Sequence, residues 1–330
     1  MDGATSHSLL RVEGLKVHFW TEEGILQAVR GIDISVKGGE VLGIVGESGC
    51  GKSVTALSIL RLISCPPGRV EGKILFLGQD LLKLSLREMR KINGSRISMI
   101  FQEPMTCLNP LYSIGDQIME AILLHQSVDR KRAHAEALSM LDRVGIPDPH
   151  LRMKYYPYQL SGGMRQRVMI AIALSCQPEL LIADEPTTAL DVTIQAQIID
   201  LLERLKEEMK TSLILITHNL ALVKNITSRL AIMYAGKIVE EGPTRELFQR
   251  PFHPYTKGLL ACIPLLKGKR SSLSTIAGAL PSPLESIAGC AFYPRCPAPG
   301  NSCRQEEPTL EEWVPGHRVA CRSCGGDQGL

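Results

Sequence analysis

Gly46-Glu47-Ser48-Gly49-Cys50-Gly51-Lys52-Ser53 fits the pattern G-x-x-x-x-G-K-S/T, and the apolar run Val41-Leu42-Gly43-Ile44-Val45 leads directly into it. The run has the length of a buried strand and the residues after Ser53 suit a helix, which is the context the pattern needs. A strand delivers the loop, its glycines let backbone N–H groups close around phosphate oxygens, and the helix turns its positive end toward the same anion. On this reading Gly46, Glu47, Ser48, Gly49, Cys50, Gly51, Lys52, Ser53 and Val54 line the phosphates of a nucleotide. Lys52 pairs with the β and γ phosphates and Ser53 ligates Mg²⁺. A chance glycine-rich turn is the competing reading, and it does not account for the strand in front or for the partners downstream.

Leu180-Leu181-Ile182-Ala183-Asp184-Glu185 is a second buried-strand pattern, ending in two carboxylates. Strand ends of this kind are where a parallel sheet gathers its ligands. Asp184 is expected to hold Mg²⁺ through water and Glu185 to polarise an attacking water. Taken alone, the pair could equally be a solvated strand end. Leu160-Ser161-Gly162-Gly163-Met164-Arg165-Gln166, shortly before it, supplies a second anion nest: Ser161 with the N–H groups of Gly162 and Gly163 at a helix start.

The order phosphate loop, LSGG, acidic strand resembles the ATP-binding cassette (ABC) ATPases. The resemblance implies an α/β fold: an ABC-type P-loop ATPase core with a helical subdomain. It implies a head-to-tail dimer in which Ser161, Gly162, Gly163 and Asp191 act on ATP held by the opposing subunit. Met164 stands where the family most often has glutamine, a departure that leaves the nest intact. Phe19 matches the aromatic on which the family stacks adenine, with Trp20 or a plain core Phe as alternatives. Gln102 matches the glutamine that touches Mg²⁺ and senses the γ-phosphate, and His218 matches the histidine that bonds it. With Glu185, these two form the implied catalytic set.

The 330 residues exceed one compact nucleotide-binding domain, so a second, small domain is expected. Net charge is only +3, from 37 basic and 34 acidic residues, with no long basic run, so nothing points to nucleic acid. The first residues show no charged segment followed by an apolar stretch, so no signal peptide is expected. The longest apolar runs, Val168 to Cys176 and Leu259 to Leu266, are too short to span a bilayer.

Along the chain, strand-like patterns fill the first hundred residues and resume from Glu179. Between them a helical insertion is expected over about residues 103–160, from Ile114, Ile118, Ile122 and from Ala135, Leu138, Leu141. Val192 to Lys210 reads as a helix with Ile194, Ile198, Leu201, Leu205 and Met209 on its buried face. Gly236-Lys237 reads as a hairpin turn. The nucleotide-binding domain is expected to cover 1–250 and a small, irregular, cysteine-rich C-terminal domain 251–330.

That tail is rich in Pro, Gly, Ser and Cys and has few apolar periods, so a staple is expected to supplement its core. Cys290, Cys296, Cys303, Cys321 and Cys324 are half of the ten cysteines. Disulfides, zinc and an iron–sulfur cluster compete. The ATPase machinery and the missing signal peptide indicate a reducing compartment, which disfavours disulfides. Structural zinc prefers closely spaced cysteine pairs, and only Cys321-Arg322-Ser323-Cys324 offers one. The wider spacings suit a 4Fe–4S cluster equally or better.

Pro251-Phe252-His253-Pro254-Tyr255-Thr256-Lys257-Gly258-Leu259, Ala279-Leu280-Pro281-Ser282-Pro283 and Cys290-Ala291-Phe292-Tyr293-Pro294-Arg295-Cys296-Pro297 narrow the resemblance to ATPase subunits of dipeptide and oligopeptide ABC importers, over roughly Leu9 to Cys321. It implies a 4Fe–4S cluster on Cys290, Cys296, Cys303 and Cys321, with Cys324 able to replace Cys321 and zinc as the alternative metal. Cys50, Cys65, Cys107, Cys176 and Cys262 are read as small hydrophobes. Gln102 to Leu111 would form the groove that receives a short helix of the membrane subunit. The implied function is ATP-driven import of short peptides, with ATP and Mg²⁺, from the cytoplasmic side of the cell (inner) membrane. The implied partners are a second, distinct ABC ATPase, two permease subunits and an extracytoplasmic peptide-binding protein. Import of nickel or another metal chelate is the alternative. A soluble ABC ATPase acting on ribosomes or DNA is the other, although it would be expected to carry two cassettes or a long coiled-coil insertion.

Overall fold

The computed structural model describes residues 8–188, 190–263, 276–285 and 287–322. Its strands are β1 (Ser8–Thr21), β2 (Gly24–Lys37), β3 (Val41–Val45), β4 (Gly68–Phe76), β5 (Gln79–Asp80), β6 (Ile97–Ile100), β7 (Leu180–Asp184), β8 (Ser212–Thr217), β9 (Arg229–Tyr234), β10 (Lys237–Pro243), β11 (Glu311–Val314) and β12 (His317–Val319). Its helices are α1 (Lys52–Ile59), α2 (Leu86–Ile92), α3 (Pro104–Cys107), α4 (Ile114–His125), α5 (Arg130–Arg143), α6 (Pro149–Arg152), α7 (Gly162–Leu174), α8 (Val192–Met209), α9 (Leu220–Ile226), α10 (Thr244–Gln249) and α11 (Pro254–Ala261). None of them is long and apolar enough to cross a membrane. The chain divides into two compact units. Of the described residues, one holds 83–216 with 8–9 and 37–40; the other holds 10–36, 41–82 and those from 217 on.

In the first unit β6, β7 and β8 run parallel, with Ile97 opposite Leu180 and Leu181 opposite Leu213. Every residue of β7 and β8 is buried, which is why both read as unbroken apolar runs rather than alternating ones. The expected helical insertion is α3 to α6, running on into α7. Ser113 caps α4 and Asp129 caps α5, each side chain accepting a first-turn N–H. The stripe on α4 is as predicted, Ile114, Ile118 and Ile122 all being buried. On α5 the buried face is Ala133, Ala137, Met140 and Leu141 instead of Ala135 and Leu138. Alanines on several faces leave the helical phase ambiguous, and both readings share Leu141. α8 buries Ile198, Leu201 and Leu205 as expected, with Ile199 and Leu202 beside them.

In the second unit one sheet has the order β2-β1-β4-β5, with β4 antiparallel to both neighbours. The other carries β11-β12-β10-β9-β3, parallel between β3 and β9 and antiparallel beyond. The hairpin between β9 and β10 turns on Ala235 (φ 43°) and Gly236 (φ 78°), one residue before the expected Gly236-Lys237, two left-handed residues whose twist matches the strands they join.

The tail is better cored than its composition suggested. β12 pairs with β10, aligning Glu240 with Val319, and β11 pairs with β12. Tyr255 is fully buried and Phe292 nearly so, and both rings lie against Tyr234 of β9, at centroid distances of 4.7 and 5.2 Å. Two tail aromatics packed on one strand tyrosine give apolar burial without any periodic pattern. Glu240, completely buried, accepts from the N–H groups of Phe252 (2.7 Å) and His253 (3.0 Å) and pairs with His317 Nε2 at 2.8 Å. Burial pulls His253 down to about 4, against the opposing pull of Glu240, so its ring is neutral near pH 7. Its Nδ1 can then accept the Tyr255 N–H (3.1 Å) and cap α11.

Candidate functional site

The phosphate loop stands between β3 and α1, as predicted. A side chain at Gly46 would place its Cβ 2.1 Å from the Met233 carbonyl oxygen. Gly51, the residue before α1, has φ 105°, and a Cβ there would lie 2.4 Å from the Ala28 carbonyl. Neither position admits another residue without moving backbone. Lys52 is 5% exposed; its Nζ donates to the carbonyls of Gly46 (2.8 Å) and Glu47 (2.9 Å), curling back over the loop that a phosphate would enter. Ser53 and Val54 follow in the first turn of α1, both partly exposed. Ser48 and Gly49 form the exposed crest. Cys50 is 1% exposed, and burial pushes its thiol pKa up despite nearby Lys52, so only its backbone is available to a ligand.

Phe19, on β1, is half-buried opposite Gly68 of β4; Trp20 is 48% exposed. His218 follows β8 directly and is exposed, and Asn219 behind it caps α9.

Asp184 ends β7 and Glu185 follows it directly, both buried. Glu185 has a left-handed backbone, φ 47°, which is costly for a residue with a side chain and is held by its N–H bond to the Ile216 carbonyl (2.9 Å). One carboxylate oxygen accepts from Gln102 Nε2 (3.3 Å) and from Thr188 Oγ1 (2.9 Å). The predicted sensor and base therefore touch, and Thr188 joins them; a threonine three residues after the base gave no signal of its own.

Ser161 caps α7, its hydroxyl oxygen accepting from the Met164 N–H at 3.3 Å and its proton left to donate elsewhere. Gly162 and Gly163 open the helix, and a Cβ on Gly163 would meet Ile194 Cγ2 of α8 at 3.0 Å. Asp191 caps α8, accepting from the Ile194 N–H at 3.0 Å. The LSGG segment and the Asp191 loop are thus neighbours through Ile194.

The four predicted cluster cysteines are not assembled. The Cys290 N–H donates to the Cys303 carbonyl (2.8 Å), and the Cys290 thiol is pushed up by burial and then by nearby Cys303 and Cys296. Cys321 is disulfide-bonded, contrary to the expectation that it ligates a cluster and that disulfides are disfavoured, and no group of three or more His, Cys, Asp or Glu among the described residues is placed to hold a metal. Cys324 lies outside the described residues.

Two tail residues that the sequence motifs included without a site role reach the phosphate loop. Tyr255 Oη accepts the Glu47 N–H at 2.9 Å, and Arg295 forks onto the Glu47 carboxylate at 2.6 and 2.9 Å.

The ABC transporter family matches residues 29–188, and the oligopeptide/dipeptide transporter C-terminal region matches 239–303. The probable peptide ABC transporter ATP-binding protein y4tR of Sinorhizobium fredii is 52% identical over 95% of this chain and 94% of its own length. The dipeptide transport ATP-binding protein DppD of Escherichia coli is 49% identical over 95% and 96%. An ATP-binding cassette solved as a dimer, in a post-hydrolysis state with ADP and phosphate, superposes with a TM-score of 0.65 at 26% identity, covering 72% of this chain and 99% of that one. The phosphate loop and the capped LSGG helix lie within the first family match and Tyr255, Phe292 and Arg295 within the second, and the chain belongs to the ABC transporter ATP-binding proteins that carry the oligopeptide/dipeptide C-terminal region.

Proposed function

We propose that this chain is the ATP-hydrolysing subunit that powers import of dipeptides or oligopeptides through an ABC transporter. The observation that carries the reading is the combination of a complete phosphate loop with the matched C-terminal region of peptide transporters. Gly46 and Gly51 are required by close backbone contacts and the loop lysine is buried against the loop, which is what an ATP cradle needs. Ser53, Gln102 and Asp184 would hold Mg²⁺, which would offset phosphate charge when bound.

Lys52 leaves the loop carbonyls for the β and γ phosphates, and Phe19 stacks on adenine, with exposed Trp20 within the same strand. Glu185 accepts the proton of the attacking water, oriented by Gln102, and His218 donates to the γ-phosphate. Ser161, Gly162, Gly163 and Asp191 serve the ATP of the opposing subunit. Two cassettes close on two ATP molecules and pull on permease helices docked near Gln102 to Leu111; hydrolysis reopens them. The partner cassette is a related but distinct ATPase, and the assembly sits peripherally on the cytoplasmic face of the membrane with two permeases and an extracytoplasmic peptide-binding protein. The test is purification of this chain from its own membranes. Recovery of two permeases and a peptide-binding protein, with ATP-dependent peptide uptake, is the expected result; recovery of a nickel-binding protein or of ribosomes would replace the reading.

The proposal extends to residues 251–330 as an assembly and regulatory region built on a 4Fe–4S cluster. The support is the four-cysteine pattern and its resemblance to the importer subunits; the ligand set requires Cys321 in its reduced form. Protein purified anaerobically should be brown, with about four iron atoms and little zinc, and Cys290→Ser, Cys296→Ser or Cys303→Ser should remove the colour. Cys324→Ser should be milder than Cys321→Ser. Stoichiometric zinc without iron would give a zinc site in its place.

A further inference from the structure

We propose that Arg295 is a positioning residue of the ATP site: it reaches from the cysteine-rich tail to Glu47, neutralises that carboxylate and holds the phosphate loop open to an anion. The inference rests on the reading of residues 46–53 as the ATP loop. Glu47 is an awkward residue there, because a bare carboxylate beside the loop would repel a triphosphate. The structure shows where its charge goes. Arg295 Nη1 and Nη2 each take one carboxylate oxygen, at 2.6 and 2.9 Å, in the fork geometry that makes Arg–carboxylate pairs strong. The Arg295 side chain is 4% exposed and that of Glu47 30%, so the guanidinium is shielded from water while the carboxylate keeps part of its solvent contact.

The same guanidinium is anchored from behind. Its Nε donates to the Ala277 carbonyl (2.9 Å) and its Nη2 to the Ile276 carbonyl (3.2 Å), and its Cγ would lie 3.2 Å from a Cβ on Gly278. A planar group fixed on two sides cannot follow Glu47 if the loop moves. Lys52 bonds the Glu47 carbonyl and Tyr255 accepts its N–H, so residue 47 is held at carbonyl, amide and carboxylate, two of the three from residues more than two hundred positions away in sequence. A lysine could supply charge but not the fork together with the two carbonyl bonds.

A purely structural Arg295, serving only to fold the tail through Ala277 and Ile276, is the competing account. The two separate in a double-mutant cycle on the full chain, read as the dissociation constant for ATP with thermal unfolding measured alongside. Arg295→Gln should weaken ATP binding about tenfold or more, by exposing a like charge to the phosphates. Adding Glu47→Gln should recover most of that loss, since the uncompensated charge is gone. Arg295→Lys, which keeps the charge and protects the fold, should fall between wild type and Arg295→Gln. A double variant as weak as Arg295→Gln, or Arg295→Gln and Arg295→Lys both binding like wild type, would overturn the proposal. If Arg295→Gln does not fold, the cycle is run with Arg295→Lys, where failure of Glu47→Gln to improve binding is the overturning result. Failure of the wild-type chain to bind ATP, or undiminished binding in Lys52→Ala, would instead remove the reading of the loop itself.

Discussion

Glu185→Gln should keep ATP bound while lowering turnover by at least about two orders of magnitude, the scale expected when a positioned base is lost. The substitution is nearly isosteric, and the site can absorb it. Thr188 can turn its hydroxyl to donate to the amide oxygen, and the backbone bond from Glu185 to Ile216 is untouched. What disappears is the ability to accept a proton. The strained φ of 47° at Glu185 supports the same assignment, because a backbone held against its preference fixes the carboxylate in place before substrate arrives. The measurement is steady-state phosphate release by the assembled transporter, beside nucleotide retention by the same sample. Wild-type release would remove Glu185 from its role, provided the paired cassette is inactivated in parallel so that its own site cannot supply the rate.

Gly163→Asp should reduce ATP-driven closure of the two cassettes by at least about a hundredfold, since it sets a carboxylate against a γ-phosphate where like charges cost several kcal/mol. ATP binding at this chain's own Lys52 should stay near wild type. The structure adds a control, because any side chain at 163 also crowds Ile194 Cγ2, which a Cβ would approach to 3.0 Å. Gly163→Ala carries the crowding without the charge. It should cost a modest loss of stability with closure largely retained, leaving the carboxylate responsible for the remainder. Dimer formation by light scattering and nucleotide binding by fluorescence separate the effects. Loss of ATP from this chain's own loop in Gly163→Asp would mean that the LSGG nest serves the same subunit, and the shared-site arrangement would be wrong.

The parts of this molecule that were legible in its sequence are those where a short segment carries its own constraint. The loop at 46–53 needs Gly46 and Gly51 for their close approach to Met233 and Ala28, and the pattern records that need even though neither neighbour can be guessed from it. α8 announces itself through 18 residues of helical period, and the hairpin at 236 through the one residue type that takes its φ freely. α2 was missed among the strands, although Ser85 and Glu88 spell a capping box in front of it. The tail was misjudged because its apolar side chains arrive singly, as Phe252, Tyr255, Phe292 and Trp313, and find each other only after folding. Arg295 and Glu47 are 248 residues apart, and no local pattern can report a pair of that separation.

Glu240 carries a practical lesson for anyone who trims or swaps the C-terminal part of this subunit. A cut after Arg250 looks clean on paper, yet it removes the His317 ring and the amides of Phe252 and His253 from a carboxylate with no solvent contact, and strips β12 from the edge of β10. The shortened chain would display an unpaired strand edge carrying a stranded charge, a recipe for self-association rather than for a minimal working cassette. The transferable piece begins upstream: the matched C-terminal region starts at residue 239, one position before Glu240, so a graft that carries β10 with the tail keeps the acid and its partners from the same parent.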